Sequence, residues 1–290
     1  MVQGVSGSGG GWSGPGNCRN RSGGDARHRR SRSPPSLRVM GPDAPVRGGR
    51  AVSPSAGRPG RFALMHTGQL LGSGRTADVY ALDGSWVLRR YRYRTDVTEE
   101  LAVMSYVGAF GFPVPRIGPP AEGARPTDLV LQRLTGPTLA EALLAGRLGA
   151  AEAGALLARL LRELHAIPPR VSTNPEDCVL HLDLHPENVM LTAEGAVVID
   201  WSSAAEGPPG LDRAMSALTL ARIALDPAFP AGADVRPLLA ALLAELADDG
   251  GASAADLALA RTRQQENPYL TEAERERLEG AVDLVLDTVP

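Results

Sequence analysis

The stretch His181-Leu-Asp183-Leu-His-Pro-Glu-Asn188, followed by Val197-Val-Ile-Asp200-Trp201, decides how this chain of 290 residues is interpreted. It places an Asn five residues after Asp183 and a second Asp twelve residues after that Asn. The carboxylate of Asp183 can accept the proton of an attacking hydroxyl, while Asn188 and Asp200 offer oxygen ligands to Mg²⁺. These are the groups that transfer of a phosphoryl group requires.

The first part of the stretch is an H-x-D-x-x-x-x-N pattern, the catalytic-loop signature of kinase-like folds. Leu182 replaces the Arg of protein kinases, and Trp201 follows Asp200 where those enzymes have Phe-Gly. In both respects the stretch resembles the aminoglycoside phosphotransferase and choline kinase-like superfamily, whose run reads His-Gly-Asp-Leu-His-Pro-x-Asn. The resemblance covers about residues 67–290. It implies a bilobal protein kinase-like fold of the α+β class, with a small antiparallel β N-lobe carrying one helix and a larger, mostly α-helical C-lobe.

A glycine-rich segment upstream predicts the phosphate-binding half of a nucleotide site. Residues 72–79 fit G-x-G-x-x-[G/A]-x-V, in which glycine lets backbone N–H groups approach phosphate oxygens without an intervening Cβ. A lone G-x-G is a weak signal, but here a strand with a cation and a helix with an acid follow it, as in a kinase N-lobe. The predicted nucleotide-binding residues of this segment are Gly72, Ser73, Gly74, Ala77 and Val79.

The strand Trp86-Val-Leu-Arg89-Arg90 departs from the kinase pattern, in which a Lys binds the α- and β-phosphates and pairs with a helix Glu. This chain has no Lys, so all 30 of its basic residues are Arg. Alignment puts Arg89 at the Lys position, and the family's helix favours Glu100 over Glu99 as its partner. Successive strand side chains face opposite ways, so Arg89 is expected in the cleft and Arg90 in solvent. The alternative, that Arg89 merely lies on a solvated strand, stays open.

The resemblance assigns the rest of the nucleotide site. Backbone groups of Gln132, Arg133 and Leu134 would pair with the nucleotide base, because the family's linker between the lobes lies there. The implied cofactors are ATP or GTP together with Mg²⁺.

Residues around the catalytic loop take supporting roles by the same resemblance. His181 would hold the loop through packing and hydrogen bonds, and His185 would brace the Asp183 carboxylate or the loop backbone. We group both with Asp183 as the catalytic-loop residues. Asp212 would accept backbone N–H bonds from this loop, a structural role.

Composition separates residues 1–61 from the rest. They contain 11 Arg and two acidic residues, whereas residues 62–290 contain 19 Arg and 31 acidic residues. The first segment is rich in Gly, Ser, Pro and Arg and lacks a core-forming pattern, so we predict disorder. One reading is that this segment is a basic tether that binds nucleic acid or another acidic surface. The other is that the start codon is mis-assigned and translation begins at Met40 or Met65. We favour the second reading.

The body divides into a nucleotide-binding N-lobe, residues 62–134, and a C-lobe, residues 135–290, with the catalytic loop and substrate-binding helices. The predicted strands are 67–72, 78–82, 85–91, a strand ending near Ile117, and 128–134. The predicted helices are 96–109 (capped by Asp96 or Thr98), 138–145, 150–167, 211–225, 234–247, 252–265 and 271–286. Leu157, Leu160, Leu161 and Leu164 recur at helical spacing and are predicted core residues.

Several protein classes are disfavoured. Cys18 and Cys178 are the only cysteines, so there is no disulfide framework. No apolar run approaches the roughly 18 residues that a membrane span needs, and the N-terminus lacks the apolar segment of a signal peptide. We therefore expect a monomeric cytoplasmic enzyme whose body needs neither nucleic acid nor a membrane.

Three functions compete. The favoured one is a small-molecule kinase acting on a hydroxyl of an aminoglycoside, amino alcohol or sugar. The acidic body either draws in a cationic acceptor or simply aids solubility, and both readings stay open. The alternative is a nucleotide-binding pseudokinase, which the loss of Lys keeps open. A protein kinase is least favoured, because only eleven residues separate Asp200 from Asp212 and they contain no Ala-Pro-Glu.

Overall fold

An antiparallel four-stranded sheet and one helix form the N-terminal part of the body, from Leu70 to Gln132. The strands are adjacent in sequence order: β1 (Leu70–Ser73), β2 (Ala77–Ala81), β3 (Trp86–Tyr91) and β4 (Asp128–Gln132). Helix α1 (Thr98–Ala109) lies between β3 and β4 in the sequence. This computed structural model describes residues 67–93, 97–121, 123–227 and 235–289. The predictions for residues 1–61, for both alternative start residues and for Asp96 as a helix cap lie outside these ranges.

Helices dominate the C-terminal part of the body. They are α2 (Leu139–Leu144), α3 (Ala150–His165), α4 (Pro209–Ala224), α5 (Arg236–Leu246), α6 (Ala254–Gln265), α7 (Glu272–Glu276) and α8 (Leu278–Thr288). Two small two-stranded sheets lie between α3 and α4 in the sequence: β5 (Cys178–Leu180) pairs with β8 (Ala205–Gly207), and the hairpin of β6 (Val189–Thr192) and β7 (Gly195–Val198) lies between these two strands in the sequence. The α+β class and the kinase-like arrangement of a β-rich N-lobe and a helical C-lobe are confirmed.

Some predicted boundaries are wrong. Ile117 forms only an isolated bridge with Leu131, because prolines at 113 and 115 deprive the segment of the amide donors that a strand needs. The helix predicted over 271–286 is broken at Arg277 into α7 and α8. Thr98 is not the cap of α1, since the capping position is Val97 and no side chain caps it.

The core of the C-lobe is built on α3. Its predicted leucines are all buried: Leu157, Leu160, Leu161 and Leu164. They belong to one hydrophobic cluster that continues through α4, α5 and the strands on either side of the catalytic loop. The loop is therefore attached to the best-packed part of the molecule. No helix within the described ranges is long and apolar enough to cross a membrane.

The linker between the lobes passes very close to the C-lobe at Gly136. Its φ is 141°, and a Cβ there would lie 2.0 Å from the carbonyl oxygen of Leu191. Only glycine satisfies both conditions without moving the backbone. The position of the linker over β6 thus depends on this residue.

We predict that Gly136→Ala lowers the free energy of unfolding by more than about 2 kcal/mol, because it adds both backbone strain and a clash with a backbone atom. Chemical denaturation monitored by circular dichroism measures this. Gly84→Ala is the matched control, since a Cβ at Gly84 meets no atom within 4 Å. Equal stability of the two variants would contradict the close approach.

Candidate active site

Arg89 lies at the centre of the site, and its guanidinium joins the two lobes. Its Nη1 donates to Glu100 Oε1 at 3.0 Å, and its Nη2 donates to Asp200 Oδ1 at 2.5 Å. Strand alternation sends Arg90 to the opposite face, where two nitrogens pair with the Asp128 carboxylate at 2.8 Å each. The expected contact between Arg89 and Glu100 is confirmed. The expectation that Arg90 points into solvent is wrong, because it is held by a carboxylate.

Burial and charge set the protonation of this cluster. Burial alone would lower the pKa of Arg89, but the charges of Asp200 and Glu100 outweigh it and raise that pKa. Burial would likewise raise the pKa of Asp200, but the charge and hydrogen bond of Arg89 lower it. Burial raises the pKa of Glu100, and Arg89 and Tyr91 offset only part of this effect. Arg89 and Asp200 therefore stay ionised as a pair.

The catalytic loop is held by Asp212, a fully buried residue in the first turn of α4. Its Oδ2 accepts the N–H of His181 at 2.9 Å, and its Oδ1 accepts the N–H of Leu182 at 2.7 Å. His165 Nε2 lies 3.0 Å from Oδ2. Burial would raise the pKa of Asp212, but these hydrogen bonds and the charge of His165 lower it. The predicted structural role of Asp212 is confirmed.

Leu182 and Asp200 are the non-glycine residues with positive φ in the described part of the chain, both at 63°. This left-handed conformation costs a residue with a Cβ about 1–2 kcal/mol. At position 182 the family's run has Gly, so this chain puts a bulky side chain in a conformation that suits glycine. Burial of the Leu182 side chain and the bond to Asp212 stabilise it. The family's Gly was the sequence signal for this backbone, and the sequence interpretation did not use it.

His181 connects the catalytic loop to the segment that carries Asp200. Its Nε2 lies 3.1 Å from the carbonyl oxygen of Ile199, its Nδ1 lies 3.3 Å from the amide nitrogen of Asp183, and its ring packs edge-to-face on Trp201. Burial lowers the pKa of His181, which favours a neutral ring. A neutral ring with its proton on Nε2 serves both contacts, so His181 holds the loop, as predicted.

Asp183 and Asn188 face each other across the turn of the loop. Asn188 Nδ2 donates to the carbonyl oxygen of Asp183 at 2.9 Å and lies 3.4 Å from its Oδ2. His185 Nε2 is 3.2 Å from the same amide nitrogen and 3.7 Å from Asp183 Oδ1. The Asp183 side chain keeps 41% of its surface exposed. The loop therefore presents a carboxylate to solvent, with His185 bracing it from one side.

Asn188 and Asp200 fit a magnesium ion. The amide of Ile199 donates to the carbonyl oxygen of Asn188 at 3.0 Å, which brings Asp200 beside it. Because Asn188 Nδ2 is directed at Asp183, its Oδ1 is the atom left for a cation. Mg²⁺ in nucleotide enzymes is bound by one or two protein oxygens together with phosphate and water. The described residues contain no group of three His, Cys, Asp or Glu that could hold a metal by itself.

The glycine-rich segment forms the turn between β1 and β2. Gly74 N–H donates to the carbonyl oxygen of Ala77 at 2.9 Å, so this amide is engaged within the turn. A Cβ at Gly72 would meet no atom within 4 Å. Ala77 is buried and Val79 is half-buried in β2. All four residues of β1 are exposed.

Ser73 has a local structural partner. Its hydroxyl donates to Asp78 Oδ1 at 2.8 Å, and Arg92 contacts both residues, with 2.5 Å to the same Asp78 oxygen. These three side chains brace the turn from the outer side of the sheet. The Ser73 hydroxyl is therefore directed at this cluster.

The linker offers fewer amides than the sequence suggested. Gln132 N–H donates to the carbonyl oxygen of Arg116, and Arg133 N–H donates to that of Ser85, each at 2.8 Å. Of the three predicted linker residues, Leu134 has the amide that remains for a nucleotide base. The carbonyl groups remain as acceptors.

A second bridge between the lobes was not predicted. Arg75, in the glycine-rich turn, contacts Glu274 of α7 with both terminal nitrogens, at 2.7 and 3.3 Å. Arg222 Nη1 approaches Glu274 to 2.6 Å, and Thr271 adds bonds from its amide and hydroxyl. Arg75 and Glu274 are 199 residues apart. No local sequence pattern links residues at such a separation.

Comparison with known proteins agrees with this geometry. A sequence model of the family described as "Phosphotransferase enzyme family" matches residues 67–177 and 170–248. No curated protein gives a significant match. The chain belongs to this phosphotransferase family and is a phosphotransferase enzyme.

Solved structures of related folds were also found. The gentamicin complex of APH(2″)-IIa is 16% identical with a TM-score of 0.46, covering 75% of this chain and 90% of that chain. A choline/ethanolamine kinase family protein from Mesorhizobium loti is 16% identical with a TM-score of 0.47, covering 76% and 91%. The amicoumacin kinase hAmiN is 13% identical with a TM-score of 0.47, covering 79% and 91%.

The bridge to Glu274 predicts a specific pH dependence. Burial would raise the pKa of Glu274, but the bonds from Arg75 and Thr271 and the charge of Arg222 lower it from 4.5 to about 2. Its stabilising contribution is therefore present above about pH 4.5 and is lost as the pH falls towards 2. Glu274→Gln should lower the free energy of unfolding by about 2 kcal/mol at pH 6.

Urea titrations of both proteins between pH 6 and pH 3 test this. The stability gap between wild type and Glu274→Gln should narrow over that range. Glu163→Gln is the control, since Glu163 pairs with Arg159 on an exposed helix surface and should show a small gap at every pH. A gap for Glu274→Gln that stays constant down to pH 3 would contradict the assigned pKa.

Proposed function

We propose that this enzyme transfers the γ-phosphate of ATP or GTP to a hydroxyl group of a small molecule. One observation carries the proposal: Arg89 joins Glu100 of the N-lobe to Asp200 of the C-lobe, beside the loop of Asp183 and Asn188. The kinase pattern has the same residue types at four of these positions, namely Glu100, Asp183, Asn188 and Asp200. At the fifth position, Arg89 keeps the positive charge of the usual Lys.

Each residue has one task in this scheme. The Asp183 carboxylate orients the acceptor hydroxyl and takes its proton, consistent with its partly exposed position. Asn188 Oδ1 and the Asp200 carboxylate would hold Mg²⁺, which neutralises phosphate oxygens when bound. Arg89 would neutralise the α- and β-phosphates while Glu100 keeps it in the cleft. Because the transition state of phosphoryl transfer is loose, positioning and charge matter more than a strong base.

The nucleotide would lie between the glycine-rich turn and the linker. Gly72, Ser73, Gly74, Ala77 and Val79 would cover its phosphates. The linker carbonyls and the Leu134 amide would pair with its base. Amides of the turn other than Gly74 serve the phosphates best, since Gly74 already donates to Ala77.

The acceptor is a small alcohol, and the charge of the body favours a cationic one. Residues 62–290 carry 31 acidic residues against 19 Arg, and a negative field draws cationic molecules towards the surface. Aminoglycosides, amino alcohols and sugars form the panel to test. A nucleotide-binding module without catalysis is the alternative, and Asp183, Asn188 and Asp200 argue against it.

Two substitutions test the assigned chemistry. Asp200→Ala should abolish turnover with Mg·ATP, because it removes a metal ligand and the partner of Arg89. Asp183→Asn should strongly reduce turnover while leaving nucleotide affinity within about threefold, since Asp183 acts on the acceptor. Phosphate transfer from labelled ATP across the acceptor panel, together with calorimetric nucleotide binding, measures both. If Asp183→Asn kept most of the wild-type rate with every accepted substrate, the role of Asp183 would be refuted.

Arg89 and Arg90 form a matched pair on one strand. Arg89→Ala should lower kcat/KM for ATP by roughly ten- to hundred-fold, because each charge-assisted contact to phosphate is worth about 1.5–3 kcal/mol. Arg89→Lys should retain more activity. Arg90→Ala should lower the melting temperature, since it removes the ion-pair partner of the buried Asp128 carboxylate, yet leave kcat/KM for ATP unchanged. Equal kcat/KM values for Arg89→Ala and Arg90→Ala would contradict a role of Arg89 in the nucleotide site.

A further inference from the structure

Tyr91 is the neighbour of Arg89 on the inner face of β3. Residues two apart on a strand point to the same side of the sheet, so Arg89 and Tyr91 face α1 together while Arg90 faces away. The Arg89 guanidinium carbon lies 4.9 Å from the centre of the Tyr91 ring, within the range of a cation–π contact. Both side chains are buried. Tyr91 is therefore in direct contact with the cation of the site.

The hydroxyl of Tyr91 and the guanidinium of Arg89 contact different oxygens of Glu100. The hydroxyl donates to Glu100 Oε2 at 2.6 Å, while Arg89 Nη1 donates to the other oxygen, Oε1, at 3.0 Å. The two oxygens of one carboxylate are thus divided between a phenol and a guanidinium. Arg89 gives Glu100 a single nitrogen and directs Nη2 to Asp200 in the cleft.

The sharing of the two Glu100 oxygens between Tyr91 and residue 89 has a consequence for an Arg at position 89 that it would not have for a Lys. A guanidinium is a planar fork that pairs with a free carboxylate through two parallel hydrogen bonds. If Arg89 made two parallel hydrogen bonds to Glu100, its second terminal nitrogen would point at Glu100 instead of into the cleft. A lysine ammonium cannot make this forked pair, so it needs no such restraint.

We propose that Tyr91 is a positioning residue for phosphate binding: by donating to one oxygen of Glu100, it competes with a second Arg89 nitrogen for that oxygen and so keeps one guanidinium nitrogen for the nucleotide. The proposal rests on the proposed function of Arg89. It explains how this chain uses Arg at a position where the kinase pattern has Lys.

Binding of ATP and of adenosine, measured by calorimetry with Mg²⁺, tests the proposal. Tyr91→Phe removes the hydroxyl and keeps the ring. It should weaken ATP binding about tenfold and leave adenosine binding unchanged, because adenosine lacks phosphates. In an Arg89→Lys background, the same Tyr91→Phe change should alter ATP affinity by less than about twofold. The control is Tyr106→Phe, which removes a hydroxyl bonded to the Pro168 carbonyl oxygen, away from this cluster.

Equal loss of ATP and adenosine affinity in Tyr91→Phe, or the same loss in both backgrounds, would overturn the proposal, as would no loss at all. A crystal structure of Tyr91→Phe gives a second readout that needs no nucleotide. Two Arg89 nitrogens on Glu100 would support the proposal, and a single retained nitrogen would overturn it. Failure of the wild-type protein to bind ATP would instead refute the proposed function, with the geometry of the variant still deciding the role of Tyr91.

Discussion

The buried contact of one guanidinium with two carboxylates governs this structure. Arg89 lies on β3, Glu100 on α1 and Asp200 in the loop that follows β7. The Arg89 side chain therefore connects three elements of the fold. Arg89 and Glu100 are buried, whereas the Asp200 side chain keeps 34% of its surface exposed. That arrangement is costly for folding alone, but it leaves Asp200 ready for a cation.

Contacts within the C-lobe stabilise strained backbone conformations in and near the catalytic loop. Leu182 and Asp200 both have left-handed backbones, and non-glycine residues keep such conformations only when their surroundings enforce them. Asp212 bonds two successive loop amides, and His181 joins the loop to the segment before Asp200. These contacts rest on the tightly packed α3 and α4. Residues of α3 and α4 therefore fix the backbone of the loop.

The sequence predicted correctly the contacts that depend on neighbouring residues, on helical or strand periodicity, or on the family's motif. The choice of Glu100 over Glu99, the burial of the α3 leucines and the bonds to Asp212 follow from periodicity or from the family's motif, and the structure has them. The Arg75–Glu274 bridge could not be predicted, because it joins residues 199 positions apart. Tyr91 could have been found, since it lies two residues after Arg89 on the same strand face. For residues 1–61, the prediction rests on amino-acid composition alone.

The central claim is that Arg89 serves the nucleotide phosphates in place of a Lys. The most direct test is a crystal structure with Mg²⁺ and a non-hydrolysable ATP analogue. The account predicts that Arg89 Nη1 stays on Glu100 while Nη2 leaves Asp200 for a phosphate oxygen, with the metal taking its place on the Asp200 carboxylate. A bound nucleotide with Arg89 still paired to Asp200, and no contact between Arg89 and the phosphates, would contradict it.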